Sequence, residues 1–120
     1  MTAEEWDCLL RYRRALADRL GEDLVEVRLF GSAARGEMWP LGSPMHSDLD
    51  LLVLTRSPVP EALRDELVGE TYLLFLECGR QLSPQFLLES RFRAPDTEVL
   101  RDLASAVARD GLPLPADDAD

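Results

Sequence analysis

Apolar positions follow two rhythms along this chain. Trp6, Leu9, Leu10, Leu16, Ala17 and Leu20 recur at helical spacing. Thr2 and Glu5 stand three apart, as a capping box requires, and Gly21 supplies a stop. The pattern predicts a helix over 3–20 with Arg11, Arg14 and Asp18 outward. Residues 24–30, Leu-Val-Glu-Val-Arg-Leu-Phe, alternate and are rich in strand formers, so a strand is predicted there. A second apolar strand is expected over 48–54. A second helix, about 60–78, places Leu63, Leu67, Leu74 and Cys78 inward and ends at Gly79. Residues 81–88 read as a third strand. Pro84 donates no ladder hydrogen bond, which puts that strand at an edge or a bulge. A last helix, about 96–110, turns Leu100, Leu103, Ala104 and Val107 inward and closes at Gly111.

Between the first two strands, Ala33-Ala34-Arg35 favour a short helix. Residues 37–47 form a loop broken by Pro40, Gly42 and Pro44. The order α-β-(α)-β-α-β-α predicts an α/β (α+β) domain, a small mixed sheet with helices packed mainly on one face. With no repeat or long linker, one domain is expected over 1–112, followed by an acidic tail over 113–120, disordered at its end.

Composition narrows the chemistry. The chain has 120 residues, 46% of them hydrophobic, enough for a core but a modest one. A partner surface or self-association is compatible with that size. No apolar run is long enough to span a bilayer. The acidic N-terminus lacks a secretory pattern, so a cytoplasmic location is expected. Cys8 and Cys78 lack metal-ligand spacing and are expected as buried free thiols rather than a disulfide. The formal charge of −10 disfavours long nucleic acid as a substrate and favours a basic protein partner. It leaves room for a small nucleotide that brings its own Mg²⁺. The basic residues are all arginine, which excludes Walker A and Schiff-base lysine chemistry.

Candidate chemistry is concentrated between Leu29 and Leu54. The first strand runs into Gly31-Ser32-Ala33-Ala34-Arg35-Gly36, and the second opens as Ser47-Asp48-Leu49-Asp50-Leu51. Alternation sets Asp48 and Asp50 on one face of the strand, about 6–7 Å apart. Two hard carboxylates so placed suit Mg²⁺, and like charges this close are costly without a cation. Gly31 lets the backbone approach a phosphate, and amides entering a helix form an anion site. The Ser32 hydroxyl adds a hydrogen bond, and Arg35 reaches the same phosphates. A lone Gly-Ser turn is everyday turn chemistry, and a lone Asp-x-Asp is usually a solvated edge. Their combination around two apolar strands carries the reading.

This combination resembles the nucleotidyltransferase superfamily of the DNA polymerase β type, in its minimal form (MNT domains). Gly31, Ser32, Ala34, Arg35, Gly36, Ser47, Asp48, Asp50 and Leu51 match the family pattern. The resemblance implies that Asp48 and Asp50 hold Mg²⁺ and do the catalysis. It also implies that Gly31 and Ser32, with Arg35 and Ser47, bind ATP. The reaction would be transfer of AMP to a hydroxyl, with pyrophosphate leaving. Two departures stand out. The loop before the aspartates is longer than in most minimal members, and contains Trp39 and His46, for which ordinary loop roles are the default. The family's third carboxylate, carried on a neighbouring strand, is missing. The third strand offers Ser83 and Gln85 on one face and no acid before Glu89, leaving Gln85 or Glu89 to replace it.

The resemblance further implies an antitoxin whose partner is an all-helical HEPN ribonuclease toxin, silenced by AMP on a tyrosine. The alternative is a catalytically weak or inactive MNT-fold protein that neutralises its partner by binding alone, which the missing acid favours. A small-molecule nucleotidyltransferase of the aminoglycoside type is disfavoured because no substrate-binding second domain is evident.

Overall fold

The computed structural model describes residues 2–31 and 48–115. Helix α1 runs Ala3–Leu20, strand β1 Leu24–Phe30, β2 Leu49–Thr55, helix α2 Glu61–Cys78 and β3 Leu82–Leu88. A short helix α3 covers Glu89–Arg93, then α4 Glu98–Asp110 and a two-residue strand β4 Leu112–Pro113. The capping box is present: the Thr2 N–H donates to Glu5 Oε1 at 2.8 Å, and the Glu5 N–H donates to Thr2 Oγ1 at 3.1 Å. Thr97 starts α4 in the same way, accepting from the Leu100 N–H at 3.1 Å.

The four strands lie in the order β3-β2-β1-β4. β1 pairs antiparallel with β2 and with β4, while β2 and β3 are parallel. A parallel neighbour needs a crossover connection, and α2 provides it. β3 is an edge strand, as Pro84 requires.

α1 and α2 cover one face of the sheet. Leu9, Tyr12 and Leu16 of α1 and Leu67 and Leu74 of α2 close over Val27, Leu29, Leu49, Leu51 and Val53. The Tyr12 hydroxyl donates to the Leu67 carbonyl at 2.8 Å, tying the two helices inside the core. Burial, with the nearby charge of Glu70, pushes the Tyr12 phenol far above its ordinary value. The helices run antiparallel, so Arg11 pairs with Glu77 while Arg19 pairs with Glu66. Across the sheet a smaller cluster sets Leu103 and Val107 of α4, with Phe92 of α3, against Leu52 and Leu54. The helices are therefore mainly, but not solely, on one face.

The sequence pattern did not announce α3 and β4. α3 has one apolar side chain, Phe92, and is held instead by an i,i+4 pair, Glu89 with Arg93 at 2.7 Å. β4 is too short for any period. It occupies the point where the sequence reading begins the acidic tail, and Leu114 beyond it is buried, its N–H donating to the Val27 carbonyl at 2.8 Å.

The expectation of free thiols is overturned: Cys8 and Cys78 are bonded, with their Cα atoms 6.7 Å apart. Antiparallel packing brings the start of α1 to the end of α2, a proximity that a sequence separation of 70 conceals.

Candidate functional site

The alternation of β2 holds in the fold. Leu49, Leu51 and Val53 enter the larger core, and Leu52 and Leu54 enter the smaller one. Asp50 therefore lies on the face of Leu52, at the opening of the strand. Its cross-strand partners are Phe30 on β1 and Ser83 on β3. One pleat further on, Leu52 lies between Arg28 and Gln85.

Gly31 follows Phe30 directly, with φ at +79°. A side chain there would be strained, and the conformation suits glycine. Space adds a second constraint. A Cβ on Gly31 would sit 2.7 Å from Asp50 Oδ2. The bend after β1 and the carboxylate of β2 are thus in direct contact, because the antiparallel register sets Phe30 opposite Asp50.

The electrostatics are those of an unneutralised acidic pair. Partial burial, followed by the charge of Asp48, raises the Asp50 carboxyl above its ordinary value. Asp48 itself is exposed, just before the strand. Both effects favour a cation beside the pair. A glycine with no room for a Cβ and two carboxylates of one charge make a donor set that fits Mg²⁺ together with a phosphate group. Among the described residues no cluster of three or more acids, histidines or cysteines is assembled.

The register places the candidates for a third acid at different distances along β3. Parallel register sets Ser83 beside Asp50. Gln85 is one pleat away, beside Leu52. Glu89 follows Leu88, which pairs with Thr55, five residues and roughly 16 Å along the strand from Ser83. Its carboxylate accepts two hydrogen bonds from Arg93, at 2.7 and 3.0 Å. Ser83 is thus the register neighbour of Asp50, Gln85 follows one pleat along the same face, and Glu89 lies beyond the end of the strand. Only the register identifies that neighbour, and register is not legible in a list of strand residues.

Of the other sequence-predicted site residues, Ser32, Arg35 and Ser47 lie outside the described residues. So do the short helix expected at 33–35 and the loop with Trp39 and His46. Sequence reasoning did not single out Arg28, on the face of Asp50. Its guanidinium bonds Glu26 at 2.9 Å and lies 5.8 Å from the centre of the Phe92 ring.

Residues 9–101 match the nucleotidyltransferase domain family. The chain belongs to that family. The match takes in both aspartates, the glycine bend and all of β3. Among curated proteins none matches this nucleotidyltransferase domain. Solved structures share its fold. A chain of a toxin–antitoxin complex with AMP-PNP is 20% identical, with a TM-score of 0.59, over 98% of this chain and 76% of that one. A chain of the tri-AMPylated Shewanella oneidensis HEPN toxin in complex with MNT antitoxin is 18% identical, with a TM-score of 0.56, over 95% and 73%. Spectinomycin adenyltransferase from Enterococcus faecialis, with ATP and spectinomycin, is 14% identical, with a TM-score of 0.64, over 96% of this chain and 57% of that one. At these identities the likeness establishes the nucleotidyltransferase fold alone.

Proposed function

We propose that this nucleotidyltransferase domain transfers AMP from ATP to a hydroxyl of a protein partner, a tyrosine of a HEPN-type toxin, and acts as its antitoxin in the cytoplasm. One observation carries the reading: the glycine bend after β1 and the carboxylate of β2 share a single contact point, where a Cβ would stand 2.7 Å from Asp50. In this reading Asp48 and Asp50 hold Mg²⁺. The Gly31 and Ser32 amides receive the phosphates, with Arg35 and Ser47 completing the nucleotide site. Bound Mg²⁺ would neutralise charge on the triphosphate. The acceptor hydroxyl oxygen forms a bond to the α-phosphorus, the bond to the bridging oxygen of pyrophosphate breaks, and the hydroxyl proton is released. The half-buried setting of Asp50 keeps part of the water from the reacting group. AMP-PNP in one fold relative and AMPylated HEPN toxin beside another support the choice of nucleotide and acceptor.

Ser83 favours a second reading. A serine hydroxyl beside Asp50 cannot accept a proton as a carboxylate does. Base catalysis is typically worth about 10²–10⁴-fold. The second reading is therefore a slow or inactive domain that neutralises its partner by binding alone. Labelled ATP, Mg²⁺ and a HEPN-type partner separate the two. Label transfer that vanishes in Asp48→Asn supports the enzyme. A complex that forms without label, and forms equally with Asp48→Asn, supports occlusion.

A further inference from the structure

α2 is not a one-sided helix. Leu67, Thr71 and Leu74 are buried against the core, yet the opposite side of its second half is apolar too. Tyr72 is 61% exposed, Leu73 58%, Phe75 42% and Leu76 79%. Gly69 continues that strip one turn earlier, with no atom within 4 Å of where its Cβ would stand. Gly69, Tyr72, Leu73 and Leu76 sit at i, i+3, i+4 and i+7, the spacing of a helix face that meets another surface, and Phe75 borders it. Together they expose about 400 Å² of side chain, a size at which a contiguous apolar patch marks an interaction site. The face belongs to neither the core nor the Asp48–Asp50 site, since α2 and Asp50 lie against opposite faces of the sheet.

The rim names the occupant. Glu61, Asp65 and Glu70 are exposed on the same helix, which carries Arg64 as its one basic residue. Glu66 and Glu77 are turned to α1 and engaged by Arg19 and Arg11. The whole chain carries a formal charge of −10. A second copy seated on this strip would bring two acidic rims and two such charges together. It would also bury only about 800 Å² in total, below a stable interface. A basic protein surface meets the same rim with opposite charge and extends the contact beyond the apolar centre. We propose that the Tyr72–Leu76 face of α2 is the docking surface for a basic protein partner, one that offers an apolar helix face or groove bordered by arginine or lysine. From the proposed function this takes only that a protein partner exists.

The test is calorimetric binding of a purified HEPN-type protein, with sedimentation of the chain alone. Leu73→Ser with Leu76→Ser is expected to weaken binding at least 30-fold. Val99→Ser, an apolar residue 77% exposed on α4, leaves it unchanged. Raising ionic strength weakens the wild-type complex several-fold. Unchanged affinity in the α2 variant, or no wild-type binding, overturns the proposal. So does a wild-type dimer that the variant dissolves, because the occupant is then a second copy. Asp48→Asn separates this from the transfer reaction: loss of label with docking intact leaves the α2 surface standing, and docking without any label leaves it standing while the transfer reading fails.

Discussion

Replacing Gly31 with alanine tests the geometry of the site at its tightest point. Two costs arise and they act on different quantities. The positive φ of +79° strains any L side chain, by about 1–2 kcal/mol. The new methyl would also stand 2.7 Å from Asp50 Oδ2, 3.6 Å from Cγ and 3.7 Å from Cβ. That oxygen is the far end of a side chain that turns about χ1 and χ2, so the carboxylate swings aside at little cost to folding. Stability should therefore fall by about the dihedral strain alone, a drop of roughly 5–10 °C in Tm. Affinity should fall much further, because a ligand displaced by about 1 Å can cost 10²-fold in a positioned site. Gly21→Ala is the control for positive φ without a clash: its φ is +56°, and nothing lies within 4 Å of its Cβ position. Thermal melts and calorimetric titration with Mg²⁺ and AMP-PNP should give a Tm loss for both variants, with affinity lost in Gly31→Ala only. If Gly31→Ala binds as wild type does, the contact between bend and carboxylate has no part in nucleotide binding. If Gly21→Ala loses affinity equally, the effect is global and the site reasoning is refuted.

Other outcomes follow from the same structure. Asp50→Asn should raise the Tm of the ligand-free protein at neutral pH, because burial and Asp48 disfavour the charged carboxyl. That gain is full above the raised folded pKa and fades as pH falls toward the ordinary value of 3.8, which melts across pH 3–8 would show. Glu5→Gln should cost about 1–3 kcal/mol, since a buried charge-assisted bond to Arg80 is replaced by a neutral amide's. Burial alone would raise the Glu5 carboxyl, but the Thr2 hydrogen bonds and Arg80 together hold it below the ordinary 4.5. Its contribution is therefore present above pH 4.5 and lost as pH falls through the depressed folded value; urea melts of both proteins against pH check the sign. Ser83→Asp should place a third carboxylate beside Asp50 and raise label transfer at least tenfold; no gain would show that the register neighbour is not where a base acts.

Much of this fold was legible because its signals are local. The capping box at Thr2 and Glu5, the alternation of 24–30 and the stops at Gly21, Gly79 and Gly111 each fix an element without reference to the rest. β2 was legible for a related reason: Asp48 and Asp50 share a parity, and parity decides the face. What the residues did not reveal depends on pairing between distant segments. That Ser83, and not Gln85 or Glu89, is the register partner of Asp50 depends on how β2 pairs with β3, and sequence alternation leaves that register free to slip by two residues. Cys8 meets Cys78 only because α1 and α2 pack antiparallel. The exposed strip on α2 was hidden by its own hydrophobicity. Tyr72, Leu73 and Leu76 look like further core residues until the helix is seen to have one buried side.

The proposed function rests on a Mg²⁺–nucleotide held jointly by the bend after Phe30 and the twin carboxylates of β2. Its most direct test is calorimetry of the full chain with AMP-PNP, with and without Mg²⁺, for wild type and for Asp48→Asn with Asp50→Asn. Mg²⁺-dependent binding is expected at one site per chain, abolished in the double variant while its melt stays cooperative. Binding that survives without either carboxylate, or a wild-type chain that takes up no nucleotide in the presence of Mg²⁺, would contradict it.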